Sequence, residues 1–399
     1  MGWNFINQIA RFNKVIAITR ENNQPHIEKF MKENPSEVYQ NISFLYYDLP
    51  YWMRFWKKGG RGAMLYYYMW QKGIVSFIKK KNINFDIAHN VNFHNDWTPT
   101  FLYQLKKPLV WRPIGHHPQI PRQYLQLYPK KYFYIDKATW FVKKIFWNFS
   151  VSLKKSVKNS QHILCMNSSV SGIFQLEKNS FSILPSVATE DFFEGEITKK
   201  KHFHIISVGR FVPLKGFDLT INAFIEFIYS IPKNERDNCK LTLVETGPEK
   251  ELYLQIIKTN KVENYIEVIE WINRKELMKL YKNASVFLFP SHEGAGMVVA
   301  EALSFGLPVV CLNNEGPGEF ITKECGFAIN KKDYNQTVFL LKEALYTLNS
   351  DRNLLFEMSK NARKHYENNF TWNSRGNYLR IIYTQIYYEN HCNPLIKRL

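Results

Sequence analysis

The sequence is poor in three features: paired cysteines, long apolar runs and, in its first half, acidic residues. Its 399 residues contain five scattered cysteines, and none of them forms a C-x-x-C pair. This excludes a disulfide framework and the usual zinc-site spacings, and it fits a reducing cytoplasm. The sequence contains no run of about eighteen apolar residues, so no membrane-spanning helix is expected. The first residues also lack the apolar core and the cleavage site of a secretory signal.

Acidic residues are scarce only in the first half of the chain. Residues 1–190 contain 26 Lys or Arg against 10 Asp or Glu, whereas residues 191–399 contain 27 against 25. Aromatic residues are interleaved with the basic ones over 51–73 and 128–158. Because Trp and Tyr favour the lipid interface and Lys and Arg favour anionic headgroups, this pattern predicts contact with an anionic membrane surface. The alternative is that the aromatics form a core beside a solvated lysine face.

The same basic and aromatic composition would suit a nucleic-acid-binding protein. No nucleic-acid-binding motif accompanies it, so no nucleic-acid partner is expected.

Strand-like and helical patterns alternate along the whole chain, which is typical of an α/β protein with parallel sheets. Six strands are predicted in a first series and six in a second, and helical stretches separate most of them. The first series is 14–20, 43–47, 86–90, 109–112, 162–166 and 181–184; the second is 204–208, 240–245, 265–269, 286–289, 309–312 and 326–329.

The most informative stretch is residues 290–319, PSHEGAGMVVAEALSFGLPVVCLNNEGPGE. Glu293 lies in a glycine loop, and Glu301 lies eight residues later inside an apolar helical pattern. The start of that helix offers free backbone N–H groups to an anion. A carboxylate in an apolar segment is costly unless a partner bonds to it. A sugar nucleotide would meet both needs; the alternative is two solvated glutamates between ordinary turns.

The order E-x7-E, then G-x-P-V-V, then G-x-x-E resembles the donor site of the family-four (group 1) glycosyltransferases. The resemblance is strong over residues 205–320. It implies the GT-B fold, in which two Rossmann-like parallel-sheet domains face a cleft, and a metal-independent reaction that retains anomeric configuration and needs no cofactor. It assigns Glu293 to the hexose and Glu301 to the ribose. The implied phosphate-binding loop and helix start comprise Gly294, Gly296, Met297 and Val298.

Two further segments extend the resemblance. Arg210 and Lys215 lie between a predicted strand and a helix, where two cations can hold a diphosphate. Trp271 and Ile272 fall in the segment that lines the nucleobase in this family; the alternative is that Trp271 is a plain core residue. Glu245 and Glu270 stand where glycine is common, which puts the identity of the base in doubt.

A pair of histidines, His116 and His117, follows Gly115 after a buried strand. In the family, this loop lies near the donor sugar and the acceptor. A histidine here can hydrogen-bond the sugar or position the acceptor hydroxyl. We therefore name both as catalytic candidates together with Glu293, against the alternative that they are structural.

The expected domain organisation has four parts. Residues 1–185 form the acceptor-side domain, 186–201 the linker, 202–370 the nucleotide-sugar-binding domain, and 371–399 a helix that packs back on the first domain. The chain begins with a helical pattern where the family usually has a strand and a glycine-rich loop. We therefore expect the central strand of the first sheet to be missing, with a possible start upstream.

These observations predict a hexosyltransferase that uses a nucleotide diphosphate sugar. The expected acceptor is a lipid-linked saccharide in bacterial surface polysaccharide (O-antigen, capsule or lipopolysaccharide) synthesis, met at the inner face of the plasma membrane. Two alternatives stay open: another GT-B enzyme such as an epimerase, and an inactive truncated binding protein.

Overall fold

The structure is a computed structural model that describes residues 2–92, 94–184 and 188–391. These residues form two compact units. The first unit contains residues 2–115, 142–184 and 372–391 within the described part, and the second contains 116–141 and 188–371.

Twelve strands are defined among the described residues, and all their pairings are parallel. The first unit contains β1 Val15–Thr19, β2 Ile42–Tyr46, β3 Ala88–Asn90, β4 Leu109–Ile114, β5 His162–Cys165 and β6 Phe181–Ile183. The second contains β7 Phe203–Val208, β8 Cys239–Val244, β9 Ile266–Ile269, β10 Val286–Phe289, β11 Val309–Leu312 and β12 Gly326–Ile329.

In the part of the chain that the structure describes, fourteen α-helices connect and cover these strands. They are α1 Gly2–Ala10, α2 Gln24–Glu33, α3 Tyr51–Arg54, α4 Ala63–Lys80, α5 Lys130–Phe149, α6 Val151–Lys158, α7 Ser169–Phe174, α8 Phe217–Ser230, α9 Lys250–Thr259, α10 Arg274–Asn283, α11 Met297–Ser304, α12 Tyr334–Ser350, α13 Arg352–Asn369 and α14 Trp372–His391. None of these helices is long and apolar enough to cross a membrane.

The strands of the first unit are divided between two sheets. One sheet has the order β1-β2 and the other has the order β3-β4-β5-β6, with no ladder between β1 and β3 among the described residues. The expected interruption of this sheet is therefore present. Every position of β4 is buried, as expected for a strand covered on both faces. Helix α14 packs in this unit, where Leu379 and Ile382 share a core with Phe5 and Val110.

The second unit contains one sheet with the order β12-β11-β10-β7-β8-β9. The chain starts this sheet at β7 and proceeds to one side through β8 and β9. It then returns to the other side of β7 and proceeds through β10, β11 and β12. The strand order therefore reverses between β7 and β10. In open parallel sheets, ligands bind beyond the carboxyl ends of the strands at such a switch point.

Candidate functional site

The loops that follow β7 and β10 bring the strongest sequence-derived candidates to this switch point. Lys215 lies in the loop after β7, and Glu293 lies in the loop after β10. Gly216 permits the close approach of the two loops, because it has a φ of +67° and a Cβ there would lie 2.2 Å from the Pro290 carbonyl oxygen. A side chain at position 216 would therefore separate the loops.

Lys215 and Glu293 form an ion pair at this edge of the sheet. Lys215 Nζ lies 2.7 Å from Glu293 Oε1, with the two side chains 19% and 14% exposed. Lys215 Nζ also lies 5.2 Å from the centre of the Phe289 ring. The residues expected to hold a phosphate and a hexose are therefore adjacent, and each neutralises the charge of the other.

The two histidines have different surroundings. His117 Nδ1 accepts a hydrogen bond of 3.1 Å from the backbone N–H of Gly294, so it is attached to the loop that carries Glu293. His116 is buried, and its ring meets the Trp140 ring edge to face at 5.4 Å between centroids. Of the two, His117 is the one that the structure brings to the Glu293 loop.

The loop after β10 and the second glycine turn are joined by Asn314, which the sequence analysis did not select. Its Nδ2 donates to the Ser291 carbonyl oxygen at 2.7 Å, and its Oδ1 accepts from the backbone N–H groups of Gly316 and Gly318. Gly316 itself approaches the Glu293 carbonyl so closely that a Cβ would lie 2.1 Å from that oxygen. The second glycine turn therefore supports the loop that carries Glu293.

Helix α11 begins directly after this loop, with buried Gly296 preceding its first residue. At the helix start, Met297 is exposed and Val298 is partly buried. Gly296, Met297 and Val298 are therefore at the start of a helix close in sequence to Glu293, whereas the backbone N–H of Gly294 donates to His117. A helix start is the local geometry that suits an anion.

Glu301 lies in the middle of α11 and is bonded within the protein. Its side chain is 9% exposed, and its Oε1 accepts a 3.0 Å hydrogen bond from Arg274 Nη1 at the start of α10. The sequence analysis recognised that this carboxylate needed a partner but did not identify Arg274. The only available signal was the position of Arg274 just after the predicted nucleobase segment.

The remaining donor-site candidates are spread along the same edge of the sheet. Arg210 is exposed just after β7, and it has no ion pair among the described residues. Trp271 is 79% exposed after β9, which contradicts a plain core role. Ile272 is partly buried and packs against a core cluster of this unit. Both residues of the predicted nucleobase segment thus lie just after the end of β9, and Trp271 is accessible.

The two glutamates that replace family glycines lie at the ends of β8 and β9. Glu245 has a φ of +103°, a region that favours glycine and is costly for other residues. This explains why glycine is common at that position. The last pair in the β8–β9 ladder is Val244 with Ile269, so Glu270 follows beside Glu245. Glu270 forms an ion pair with Lys250, with 2.6 Å between Oε1 and Nζ.

The segment 116–141 is anchored to the rest of the second unit by tyrosines. Tyr128 donates a 2.6 Å hydrogen bond to Asp218 Oδ1, and Tyr132 donates to Glu249. Tyr124 contacts the His292 ring at 4.9 Å between centroids. These anchors place His117 beside Gly294, and sequence periodicity gave no indication of them.

Two buried groups near these anchors have displaced pKa values. Burial raises the pKa of Asp218 to about 6, and the hydrogen bond from Tyr128 partly opposes this rise. Burial also lowers the pKa of His292 to about 3, so this histidine is neutral at physiological pH. Among the described residues, no group of three or more His, Cys, Asp or Glu side chains is placed to hold a metal ion.

Comparison with known proteins supports the resemblance found in the sequence. Residues 188–365 match the model of the family described as "Glycosyl transferases group 1". The alpha-monoglucosyldiacylglycerol synthase of Acholeplasma laidlawii is 25% identical over 198 residues, which cover 46% of this chain and 47% of that protein. The matches with the first curated relatives cover less than half of those relatives' lengths.

Solved structures extend the likeness to nearly the whole fold. HepE of Anabaena, solved in complex with UDP, has a TM-score of 0.60 at 12% identity, with 96% of each chain covered. WaaG, described as a glycosyltransferase involved in lipopolysaccharide biosynthesis, has a TM-score of 0.57 at 16% identity, with 95% of each chain covered. The expected group 1 resemblance and the GT-B fold class are confirmed.

Proposed function

We propose that this chain is a glycosyltransferase that moves a hexosyl group from a nucleotide diphosphate sugar to a lipid-linked saccharide. The observation that carries the proposal is the Lys215–Glu293 pair beside the Gly294 loop, at the switch point of a parallel sheet. The group 1 match over residues 188–365 supports transferase activity. The UDP bound to HepE supports a nucleotide donor.

The chemistry of the donor site follows from the charges around it. As the glycosidic bond to the diphosphate breaks, negative charge grows on the leaving phosphate. We assign the stabilisation of this charge to Arg210, Lys215 and the start of α11, since such stabilisation is often the largest contribution to catalysis. In this proposal, these groups neutralise the charge of the leaving diphosphate, and we retain the prediction that no metal ion is needed.

The carboxylates and His117 receive complementary roles. Glu293 binds hexose hydroxyls once the diphosphate draws Lys215 away from it, and Glu301 binds the ribose. The ring of His117 orients the hexose or the acceptor hydroxyl through its second nitrogen, because Nδ1 already accepts from Gly294. His116 supports this loop through its contact with Trp140.

The proposed acceptor is lipid-linked because α5 presents an unusual surface. Its exposed side chains include Tyr134, Ile135, Phe141, Ile145 and Phe149, spaced so that they follow one side of the helix. Exposed Lys131, Lys137 and Lys144 lie among them. An apolar stripe with lysines suits the interface of an anionic membrane. The acceptor lipid would be met there, at the cytoplasmic face of the membrane.

Two named relatives act in compatible settings. One carries a name for the synthesis of a glycosylated diacylglycerol, and WaaG is described as acting in lipopolysaccharide biosynthesis. On this basis we place the reaction in the assembly of a bacterial surface polysaccharide such as O-antigen, capsule or lipopolysaccharide.

The test is a transfer assay with the full chain. The protein is incubated with radiolabelled UDP-, GDP-, ADP- or dTDP-hexose, with and without vesicles made from a bacterial lipid extract. We expect one donor to give label in the organic phase only when the vesicles are present. Conversion of the donor to a different sugar nucleotide without vesicles would favour an epimerase. No conversion of any donor would favour a binding protein.

A further inference from the structure

A second ion pair of the donor site involves a residue that the sequence analysis did not assign. Arg274 is the first residue of α10, and its Nη1 donates a 3.0 Å hydrogen bond to Glu301 Oε1. Arg274 is about half exposed, whereas the carboxylate of Glu301 is almost covered. The guanidinium therefore reaches from the surface to a carboxylate inside α11.

The start of α10 holds Arg274 in a defined place. Asn273 caps the helix, and its side chain accepts a 3.0 Å hydrogen bond from the backbone N–H of Glu276. The guanidinium also lies over the Phe192 ring, 4.9 Å from its centre. The helix cap fixes the backbone next to Arg274, and the Phe192 ring restricts its guanidinium. The side chain therefore loses little further conformational freedom when it binds a carboxylate.

The hydrogen bond from Arg274 occupies Oε1 of Glu301 and does not involve Oε2. In the described part of the chain, Oε2 of Glu301 has no hydrogen-bond partner. The neighbouring Tyr281 is fully buried, and its hydroxyl also has no partner among the described residues. Glu301 therefore has one oxygen fixed from the surface side and one oxygen available to a ligand hydroxyl.

We propose that Arg274 is a positioning residue that fixes the Glu301 carboxylate so that its second oxygen can accept from the ribose diol of the donor. This inference rests on the proposed function, because it assumes that a nucleotide occupies this site. Arg274 lies two residues after Ile272, so the segment proposed to face the base also carries the group that orients the ribose contact. Base and ribose recognition are thereby coupled through the loop between β9 and α10.

The test compares ribonucleotides with 2′,3′-dideoxynucleotides in three variants. Dissociation constants are measured by calorimetry for UDP, GDP, ADP, CDP and dTDP, and then for the dideoxy form of the diphosphate that binds best. Arg274→Met removes the charge but keeps an apolar stem, and Arg274→Lys restores a charge without the fork of the guanidinium. Lys279→Met is the matched control, since it removes a cation of α10 that pairs with exposed Glu276.

We expect the wild type to bind the ribonucleotide about tenfold more tightly than the dideoxy form, since the diol bonds to a charged acceptor. Arg274→Met should reduce this preference to about twofold, Arg274→Lys should recover part of it, and Lys279→Met should leave it unchanged. Each preference is the ratio of two dissociation constants measured on the same variant. A general loss of stability would weaken both and would therefore not change the ratio. If Arg274→Met does not fold, a reduced preference in Arg274→Lys carries the test.

An unchanged preference in the Arg274 variants, or tighter ribonucleotide binding after the loss of Arg274, would overturn the inference and leave the proposed function intact. Absence of a ribose preference in the wild type would overturn it in the same way. Failure of the wild type to bind any of the five diphosphates would instead overturn the proposed function and this inference with it.

Discussion

Replacing Asp218 with asparagine should make the protein more stable at neutral pH. The Asp218 carboxyl is fully buried at the start of α8, where Tyr128 donates to its Oδ1. Its pKa rises from the ordinary 3.8 to about 6 because burial disfavours the charged form. Each unit of pKa difference between folded and unfolded states corresponds to ~1.4 kcal/mol. The difference at Asp218 is therefore equivalent to about 3 kcal/mol in the free energy of unfolding.

The sign follows from the direction of the pKa shift. The folded state binds this proton more tightly than the unfolded state does. The resulting stabilisation is complete below pH ~4 and is lost as the pH rises through the folded-state pKa of about 6. Asparagine resembles the protonated acid at every pH, so Asp218→Asn should come closest to the wild type at pH 4.5, where about two thirds of this stabilisation remains. At pH 8 it should exceed the wild type by about 1 to 3 kcal/mol, the lower figure allowing for the new amide donor.

The assay is urea unfolding monitored by tryptophan fluorescence at pH 4.5, 6 and 8. Glu226→Gln is the control, because Glu226 is exposed on the same helix. Variant and wild type share all other titratable groups. The contributions of those groups therefore cancel when the two free energies of unfolding are subtracted at the same pH. An equal difference at all three pH values, or an Asp218→Asn variant that is less stable at pH 8 than at pH 4.5 relative to the wild type, would refute the reasoning.

Three further predictions address the site and the surface. Glu301→Gln should weaken nucleoside diphosphate binding, whereas Glu293→Gln should mainly lower turnover; equal effects of both on binding and rate would argue against separate roles. Tyr281→Phe should raise the free energy of unfolding by about 1 kcal/mol in urea titrations, because it removes a buried hydroxyl without a partner; a loss of stability would show that the hydroxyl is used. The chain should float with anionic vesicles at low salt and be released near 1 M salt, where the screening length is about 3 Å. Failure to float at low salt would exclude the membrane surface.

The sequence predicted the strands well because each is a short apolar run with clear boundaries. All twelve strands lie within a few residues of the expected positions. Strand ends are where parallel sheets gather functional groups, and the motifs after β7 and β10 assigned Lys215 and Glu293 to the same predicted donor site. The α/β class could therefore be predicted from local pattern, whereas the GT-B fold and this part of the site were predicted from the resemblance to the group 1 glycosyltransferases.

Other parts of the site depend on tertiary contacts that local pattern does not encode. Arg274 is 27 residues from Glu301 in sequence, and apart from its position just after the predicted nucleobase segment it resembles an ordinary exposed arginine. Asn314 resembles a turn residue until its three hydrogen bonds are seen. The sequence did not decide whether Trp271 belongs to the core or to the site. Trp271 is exposed because β9 ends at Ile269 and the chain leaves the sheet there.

The most direct test of the account is calorimetric titration of the full chain with UDP, GDP, ADP, CDP and dTDP, repeated with Lys215→Ala and with the double variant Arg210→Ala/Lys215→Ala. The account predicts saturable binding of at least one diphosphate by the wild type. Lys215→Ala should weaken it by about 10- to 100-fold, because one charge-assisted contact is lost. Binding by the double variant as tight as that of the wild type, or no binding of any diphosphate by the wild type, would contradict the central claim.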